Sequence, residues 1–163
     1  DAQLSSTLRC AFHKYTYPAG AAASLLADLQ RSNEHVRAWD IRKEGDNVFA
    51  GWQQTGEKMY FYAVANRPVT GIEPVVEGDR EVRIVRFGEG DGALELRIGF
   101  SFVSEKNARE NLEAEMLGKS FAEVERPVGA DPRRRRHGAG KGAVLFEPLP
   151  FVPLAGAAQR RER

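Results

Sequence analysis

The stretch from Gly92 to Met116 reads GALELRIGFSFVSEKNARENLEAEM, and its apolar periodicity changes halfway along. In the first half, apolar side chains at positions 94, 96, 98, 100 and 102 alternate with polar or small ones, which is typical of a strand with one buried face. From Ser104 onward, the apolar residues at 108, 112 and 116 follow the four-residue spacing of a helix stripe. The sequence therefore predicts a half-buried strand that runs directly into an amphipathic helix.

Capping residues mark the start of this helix and of a second, shorter one. Ser104 is a good N-cap, and Glu105 suits the positive end of the helix dipole and is predicted to pair with Arg109 one turn on. Ser120 and Glu123 have the spacing of a capping box, but the helical pattern stops soon after them. We expect the first helix to lead the chain out of its sheet.

Shorter segments upstream also have the composition of strands, and turn-forming residues separate them. Leu4, Leu8, Cys10 and Phe12 are predicted to share the buried face of a first strand, which continues to position 18. Further strands are predicted at 24–29, 36–43, 48–54, 58–65, 68–76 and 81–87. Many short strands at intervals of roughly 8–12 residues are typical of an antiparallel sandwich. We therefore predict an all-β fold, a partial antiparallel β-sandwich followed by an amphipathic exit helix and a disordered tail.

Charge and proline content divide the chain near residues 124–127. Residues 1–125 contain 15 Lys and Arg against 20 Asp and Glu, whereas residues 126–163 contain 9 against 3 and five of the eight prolines. Such different compositions rarely belong to one packed unit. We predict a partial N-terminal β-sandwich domain at 1–103, an exit or linker helix at 104–125, and a disordered tail at 126–163.

Two segments resemble the N-terminal β-sandwich domain of family 92 glycoside hydrolases. LRCAFHKYTYP at 8–18 is similar to the family's Phe-His-Arg/Lys-Tyr-Thr-Phe-Pro strand, and IGFSFVSEKNARENLEAEM at 98–116 is similar to the end of that domain. The resemblance covers about residues 3–124, the later part of the domain. It implies a parent enzyme that is an exo-acting, inverting, calcium-dependent α-mannosidase acting on terminal α-linked mannose of glycans, secreted or periplasmic.

The resemblance implies an activity that this chain is not expected to have alone. In the family, the acid, the base and the main calcium ligands lie mostly in a helical domain downstream of this segment. Nothing in the sequence isolates a pair of catalytic carboxylates, and neither an EF-hand-like calcium loop nor a metal-ligand spacing of histidines occurs. We therefore predict an inactive fragment with no catalytic residues, no metal site and no cofactor of its own. A stand-alone carbohydrate-binding β-sandwich is the alternative.

Three side chains are the candidates for contact with a sugar. His13 and Tyr15 share a face of their predicted strand, and Trp52 stands beside two glutamines, where an aromatic ring can stack on a sugar. Each of the three is also consistent with packing inside the sheet, and the sequence leaves that alternative open. Cys10, the only cysteine, excludes an internal disulfide and is expected to be a small buried residue.

The arginine run Arg133–Arg136 has the composition of a nucleic-acid or localisation patch. No aromatic residue interleaves it, so we expect no nucleic-acid partner. No apolar run reaches the roughly 20 residues of a membrane span, and no segment has the pattern of a targeting signal. We therefore expect no membrane partner either.

The tail is also consistent with translation in the wrong reading frame. If VLFEPLPFVPLAGAAQRRER at 144–163 is translated one base later, permitted codons encode FYSSLYRSFLWPALRSDAN. That sequence is similar to the family's Phe-Tyr-x-x-Leu-Tyr-His/Arg-Ser-Phe-Leu-x-Pro entry into the catalytic domain. We therefore hypothesise a one-base shift near codons 124–127 that replaced the original continuation.

Overall fold

The structure, a computed structural model, describes residues 1–125 and 145–148. Apart from residues 145–148, the predicted disordered and out-of-frame tail, with its run Arg133–Arg136, lies outside the described residues. The helices are α1 (Glu105–Met116) and α2 (Phe121–Val124). The strands are β1 (Ala2–Ser6), β2 (Cys10–Tyr15), β3 (Ser24–Asp28), β4 (Ala38–Lys43), β5 (Val48–Gln54), β6 (Lys58–Ala65), β7 (Val69–Glu77), β8 (Arg80–Phe87), β9 (Leu94–Ser101) and β10 (Leu145–Pro148).

The strands form two antiparallel sheets, which confirms the predicted all-β sandwich. The larger sheet has the order β1-β2-β9-β6-β5-β4, and the smaller one has the order β10-β3-β8-β7. β9, the strand of the stretch that changes periodicity, lies between β2 and β6, with Ile98 opposite Ala11 on one side and Ala63 on the other. The strand runs into α1 after three residues, as the sequence predicts.

The main core lies between the two sheets. Leu94, Leu96 and Ile98, alternate residues of β9, are fully buried there, together with Phe49 and Phe61. Burial of each side chain of this size contributes roughly 1.5–3 kcal/mol to folding. The period of two in the sequence therefore identifies the face of β9 that meets the opposite sheet.

The helix α1 packs on the outer face of the larger sheet, away from the main core. Its buried stripe is Ala108, Leu112 and Met116, as the four-residue spacing predicts. Leu112 and Met116 form a second, smaller cluster with Cys10 and Phe12 of β2 and Phe121 of α2. The prediction that Cys10 is buried is confirmed. The larger sheet is thus covered on both faces near its centre.

Gly99 allows α1 to approach the sheet. A Cβ at this position would lie 2.1 Å from the backbone oxygen of Ala108 and 2.9 Å from the Cβ of Leu112. Both distances are shorter than any non-bonded contact a side chain tolerates, so only glycine fits. The N-cap is as predicted, because Ser104 Oγ accepts a hydrogen bond of 3.1 Å from the backbone N–H of Asn107.

The predicted first strand is wrong in its continuity. The chain turns at residues 7–9, and β1 and β2 form a hairpin in which Leu4 lies opposite His13. The turn reverses the alternation, so Leu4 is on the face opposite to Cys10 and Phe12 and is 64% exposed, while Leu8 in the turn is 82% exposed. A short turn between two segments of similar composition does not change the two-residue spacing of the apolar residues. The sequence pattern therefore does not reveal the turn.

Two expectations for the strand–helix junction are also wrong. Phe102 is 59% exposed, because β9 ends one residue earlier and its alternation stops there. Glu105 pairs with Arg42 of β4 at 2.8 Å, and Arg109 pairs with Glu113 at 2.7 Å instead. The tertiary contact of α1 with the sheet thus replaces the pair that helical spacing alone favours.

The strand β10 lies inside the segment that was predicted to have no regular structure. It pairs antiparallel with β3, with Leu145 opposite Asp28 and Pro148 opposite Leu25. β8 pairs with the other side of β3, so without β10 this edge of β3 would present unpaired backbone N–H and C=O groups to any extended segment. Backbone pairing of this kind needs no particular side-chain pattern, so the sequence contains no signal of it.

Candidate functional site

His13 and Tyr15, two of the candidate sugar-binding residues, meet on β2. Tyr15 is only 1% exposed and belongs to the core between the sheets. His13 Nδ1 and the Tyr15 hydroxyl share a hydrogen bond of 2.8 Å, and the two rings meet edge to face with centroids 5.8 Å apart. The structure brings these two residues together in the packing arrangement that the sequence left open as the alternative to sugar contact.

The surroundings of His13 fix its charge. Burial lowers the pKa of the imidazole to about 4, because removal from water disfavours the charged form. The ring is therefore neutral at neutral pH. The His13–Tyr15 pair can donate and accept hydrogen bonds there, but it supplies no positive charge.

Trp52, the third candidate, lies on the other face of the larger sheet. It stands opposite Tyr60 of β6, and Tyr62, which shares the face of Tyr60, packs against the cluster under α1. The Lys58 ammonium lies 3.8 Å from the centre of the indole ring, so a cation covers one of its faces. The structure does not bring Trp52 together with His13 and Tyr15, and a role of the three in sugar binding stays a prediction.

Glu115 of α1 is the acidic residue that joins the exit helix to the β1–β2 turn. Its carboxylate accepts hydrogen bonds from the Thr7 hydroxyl, from Arg9 Nε at 2.7 Å and from the Arg9 backbone N–H at 3.2 Å. Burial opposes its ionisation, but the hydrogen bonds from Thr7 and Arg9 and the Arg9 charge outweigh it and hold the pKa below its usual range. This carboxylate is a structural anchor.

Metal ligands are not clustered in the described part of the chain. Within residues 1–125 there is no group of three or more His, Cys, Asp or Glu side chains arranged to hold a metal ion. Among the same residues, no helix is long and apolar enough to cross a membrane.

A cleft that sequence reasoning missed lies between β4 of the larger sheet and β8 of the smaller one. Its volume is about 350 Å³. The segment after β3 closes one side of it. The polar and aromatic residues that line the cleft are Gln30, Arg37, Trp39, Asp40, Glu81 and Arg83.

Trp39 and Arg83 form the wall of this cleft. Trp39 is half-buried and packs against the main core, and the Arg83 guanidinium lies 4.7 Å from the centre of its ring. Arg83 Nη1 also donates to Glu81 Oε1 at 2.6 Å. The guanidinium is thus held by an aromatic ring and by a carboxylate, which fixes the direction of its N–H groups.

Three hydrogen bonds fix the residues at the base of the cleft. Gln53, 2% exposed, donates from Nε2 to the backbone oxygen of Leu29 at 2.8 Å. The next residue, Gln30, donates its backbone N–H to Asp28 Oδ1 at 3.1 Å and accepts the Glu81 backbone N–H on its side-chain oxygen at 3.1 Å. These bonds link β5, β3 and β8, so the lining residues sit on a fixed frame.

The sequence carries only a partial signal for the cleft. Trp39 and Asp40 are adjacent in a predicted strand, so their side chains point to opposite faces, and only Trp39 is on the face of the main core. Glu81 and Arg83 come from another sheet, and only the packing of the two sheets brings them to Trp39.

Comparison with known proteins identifies the family. Residues 1–111 match the family model described as the glycosyl hydrolase family 92 N-terminal domain. No curated protein sequence matches the chain.

Three solved structures of family 92 enzymes share the fold of this chain. The family 92 α-mannosidase BT3965 from Bacteroides thetaiotaomicron aligns with a TM-score of 0.65 and 20% identity over 76% of this chain and 20% of that one. The inverting mannosidase BT2199 from the same organism aligns with a TM-score of 0.61 and 18% identity over 74% and 18% of the two chains. The family 92 glycosyl hydrolase ccman5 aligns with a TM-score of 0.64 and 22% identity over 76% and 19%.

The sequence identities and the coverage limit what these structures show about the chain. Identities of this size show a shared fold alone, and the chain spans about a fifth of the length of each enzyme. The family model covers most of the chain, including β9 and the start of α1. The chain therefore belongs to glycosyl hydrolase family 92, whose N-terminal domain it contains.

Proposed function

We propose that the chain supplies the later part of the N-terminal β-sandwich of an exo-acting α-mannosidase, which hydrolyses terminal α-linked mannose with inversion. The observation that carries this proposal is the match of residues 1–111 to the N-terminal domain. The fold shared with α-mannosidases supports it, and one of them, BT3965, has been solved in complex with mannoimidazole.

We place the chemistry outside residues 1–125. An inverting glycosidase needs two carboxyl groups roughly 6.5–9.5 Å apart, one of which activates a water. The two least exposed carboxylates among the ion pairs of the described residues have structural partners: Asp28 pairs with Arg80 and Glu115 with Arg9. Both hold strands or the exit helix in place. The chain alone is therefore expected to be inactive.

Calcium, which the family resemblance implies, does not fit the described residues. Ca²⁺ takes six to eight oxygen ligands, several of them carboxylates. Residues 1–125 offer no cluster of three His, Cys, Asp or Glu side chains at which such a site could form. We assign calcium to the catalytic part of the parent enzyme, which on the resemblance is a secreted or periplasmic protein.

We propose that residues 1–125 divide into the β-sandwich at 1–103 and the exit helix at 104–125. The one-base shift near codons 124–127 remains our explanation of the tail. The strand β10 is compatible with it, because an out-of-frame segment can still pair through its backbone.

The gene provides the first test. Translation in the alternative frame after codon 127 is expected to continue into a catalytic domain that begins with the Phe-Tyr-x-x-Leu-Tyr pattern. A stop codon or an unrelated sequence there would rule out the shift.

An activity assay provides the second test. The 163-residue chain is expected to release no product from 4-nitrophenyl α-mannoside or from α-linked mannobiose, with or without calcium. A matched chain with the frame restored and the downstream region included is expected to hydrolyse the disaccharide. Hydrolysis by the 163-residue chain itself would show that the chemistry is not where we place it.

A stand-alone carbohydrate-binding β-sandwich, the alternative that the sequence leaves open, is a second candidate function. The two functions differ in the kind of domain that the intact protein carries beyond residue 125. A gene that encodes no catalytic domain in any frame, together with saturable sugar binding by this chain, would favour the second candidate.

A further inference from the structure

We propose that the outer edge of β3, the edge away from β8, is a binding site for an extended peptide segment, and that residues Leu145–Pro148 of the same chain are its tethered occupant. The strand β10 pairs antiparallel with this edge, and β8 pairs with the other edge of β3. The hydrogen bonds of such a site go to the backbone of the occupant. The site therefore selects an extended conformation and not a particular side chain.

One hydrogen bond fixes the direction of the backbone groups of β3. The Phe87 backbone N–H donates to the Ala23 backbone oxygen at 3.0 Å, so the polar groups of Ala23 point to β8. In an antiparallel pair, hydrogen-bonded and non-hydrogen-bonded positions alternate. Since β3 and β8 pair without a shift in register, every second residue of β3 after Ala23 also points its N–H and C=O groups to β8.

The outer edge of β3 is built from the residues in between. Leu26 and Asp28 direct their N–H and C=O groups away from β8, and in the register they lie opposite Glu147 and Leu145. Each of these pairs can exchange both N–H···O bonds. Leu26 and Asp28 are therefore the residues of β3 that bind the occupant.

Neighbouring side chains limit the length of the site. Ser24 also faces the outer edge, but its carbonyl oxygen already accepts a hydrogen bond of 2.6 Å from the Tyr17 hydroxyl. At the other end, β3 stops at Asp28, whose carboxylate is bonded to Arg80 and to the Gln30 backbone N–H. An occupant meets a used acceptor at one end and the end of the strand at the other. This agrees with the four residues of β10.

The position of Pro148 agrees with this assignment. Pro148 lies opposite Leu25, whose polar groups point to β8, so the two residues form a pair without ladder bonds. The nitrogen of Pro148 points away from β3, and its missing N–H costs no bond to the site. It removes a donor from the edge that β10 exposes, which limits the addition of a further strand. The site thus accepts proline opposite Leu25 and Ala27, but not opposite Leu26 and Asp28.

The occupant can come from the same chain. Nineteen residues separate Glu125 from Leu145. A chain of this length reaches roughly 60 Å when extended, which is about twice the width of a small domain. A tethered segment is present at a high effective concentration, so it has the advantage over the same segment of a second copy. The site does not depend on the proposed function, because backbone pairing is the same whether or not the tail is in frame.

Two proline substitutions that differ only in position test the site in the full chain. Glu147→Pro removes an N–H that donates to β3, whereas Phe146→Pro removes one that points away from β3 and is the matched control. Hydrogen exchange of the individual β3 amides is measured by NMR. Glu147→Pro is expected to raise the exchange rates of the Leu26 and Asp28 amides about tenfold and to leave that of Leu25 unchanged. Phe146→Pro is expected to leave all three rates unchanged.

The unaltered chain and a free peptide complete the test. Phe146 and Ala27 form a pair without ladder bonds, in which the Cα atoms approach to about 4.5 Å. A nuclear Overhauser effect between their Hα protons is therefore expected in the unaltered chain. The peptide AVLFEPL, residues 143–149, is expected to restore slow exchange of Leu26 and Asp28 in the Glu147→Pro chain in a saturable way. The same peptide with the Glu147→Pro substitution is its control.

Several results would overturn the proposal. They are the absence of the Hα contact, equal effects of the two proline substitutions on exchange, and no effect of the peptide on the Leu26 amide. Protection of Leu26 that disappears on dilution of the unaltered chain would assign the occupant to a second copy and overturn the tethered pairing. The Hα contact requires no substitution, so it decides the pairing even where a variant does not fold.

Discussion

Arg9 and Glu115 are 106 residues apart in the sequence, yet Arg9 Nε lies 2.7 Å from Glu115 Oε1. This contact fastens the last turn of the exit helix to the turn between β1 and β2. The Thr7 hydroxyl binds the same carboxylate. The helix that leaves the sandwich is therefore tied back to its first hairpin, and the direction in which the chain leaves the domain depends on this anchor.

Removal of the anchor is expected to destabilise the domain. Glu115→Ala should lower the free energy of unfolding by about 1–2 kcal/mol, because Thr7 and Arg9 lose a shared charged acceptor. Urea unfolding followed by circular dichroism measures it. Glu113→Ala is the matched control, since its pair with Arg109 is an exposed i, i+4 contact worth less than about 0.5 kcal/mol. Equal losses in the two variants would show that Glu115 has no anchoring role.

The anchor also predicts a dependence of stability on pH. The pKa of Glu115 is held below its ordinary value of 4.5, so its contribution is fully present above that value and disappears as the pH falls through the folded-state pKa. Unfolding midpoints of the native chain should therefore decrease below about pH 4.5 more steeply than those of Glu115→Gln. Parallel profiles would contradict the assignment.

His13 predicts a second pH effect at higher pH. Its folded-state pKa is about 4, against an ordinary value of 6.5, so the unfolded state takes up a proton in this interval and the folded state does not. Stability should therefore decrease as the pH falls from about 6.5 to about 4. In His13→Gln this decrease should be absent, while His35→Gln, an exposed control, should retain it. An NMR titration of the His13 ring with a midpoint near 6.5 would disprove the burial argument.

Gly99 is expected to tolerate no side chain. In Gly99→Ala the new Cβ meets the Ala108 backbone oxygen, so α1 must move away from β9, at an expected cost of about 1–3 kcal/mol. The matched control is Gly45→Ala, whose Cβ would make an ordinary 3.4 Å contact with Val48. Thermal unfolding of both variants measures the difference. A Gly99→Ala protein as stable as the control would mean that the helix does not pack closely on β9.

Gln53 is expected to contribute to stability through its buried hydrogen bond. Gln53→Leu leaves the Leu29 carbonyl without its buried donor, which should cost about 1–3 kcal/mol. Gln54→Leu, the neighbouring half-buried residue, is the control.

Strand positions were largely predictable from the sequence. The predicted strand at 58–65 is β6 without a change of boundary, and the helix begins after Ser104 as expected. The wrong predictions of burial have the same cause. Alternation predicts buried faces for Leu4, Leu8 and Phe102, but a turn or a strand end interrupts the alternation at a point that the pattern does not show.

The candidate site was predictable to a smaller degree. The His13–Tyr15 contact follows from their spacing, since residues two apart on a strand share a face. Trp52 was grouped with them on composition, and the sheet places it on the other face. The cleft was missed because Glu81 and Arg83 reach Trp39 only through the packing of one sheet on the other.

The sequence by itself determined the family, the strands of the sandwich and the helix after β9. Those features depend on periodicity and on local motifs, which involve only residues close together in the sequence. Only the tertiary structure decided which charged groups meet, where the helix docks and where a ligand-sized cleft opens. Those features depend on contacts between residues far apart in the chain, such as Arg9 with Glu115 and Trp39 with Arg83, and spacing along the sequence does not encode them.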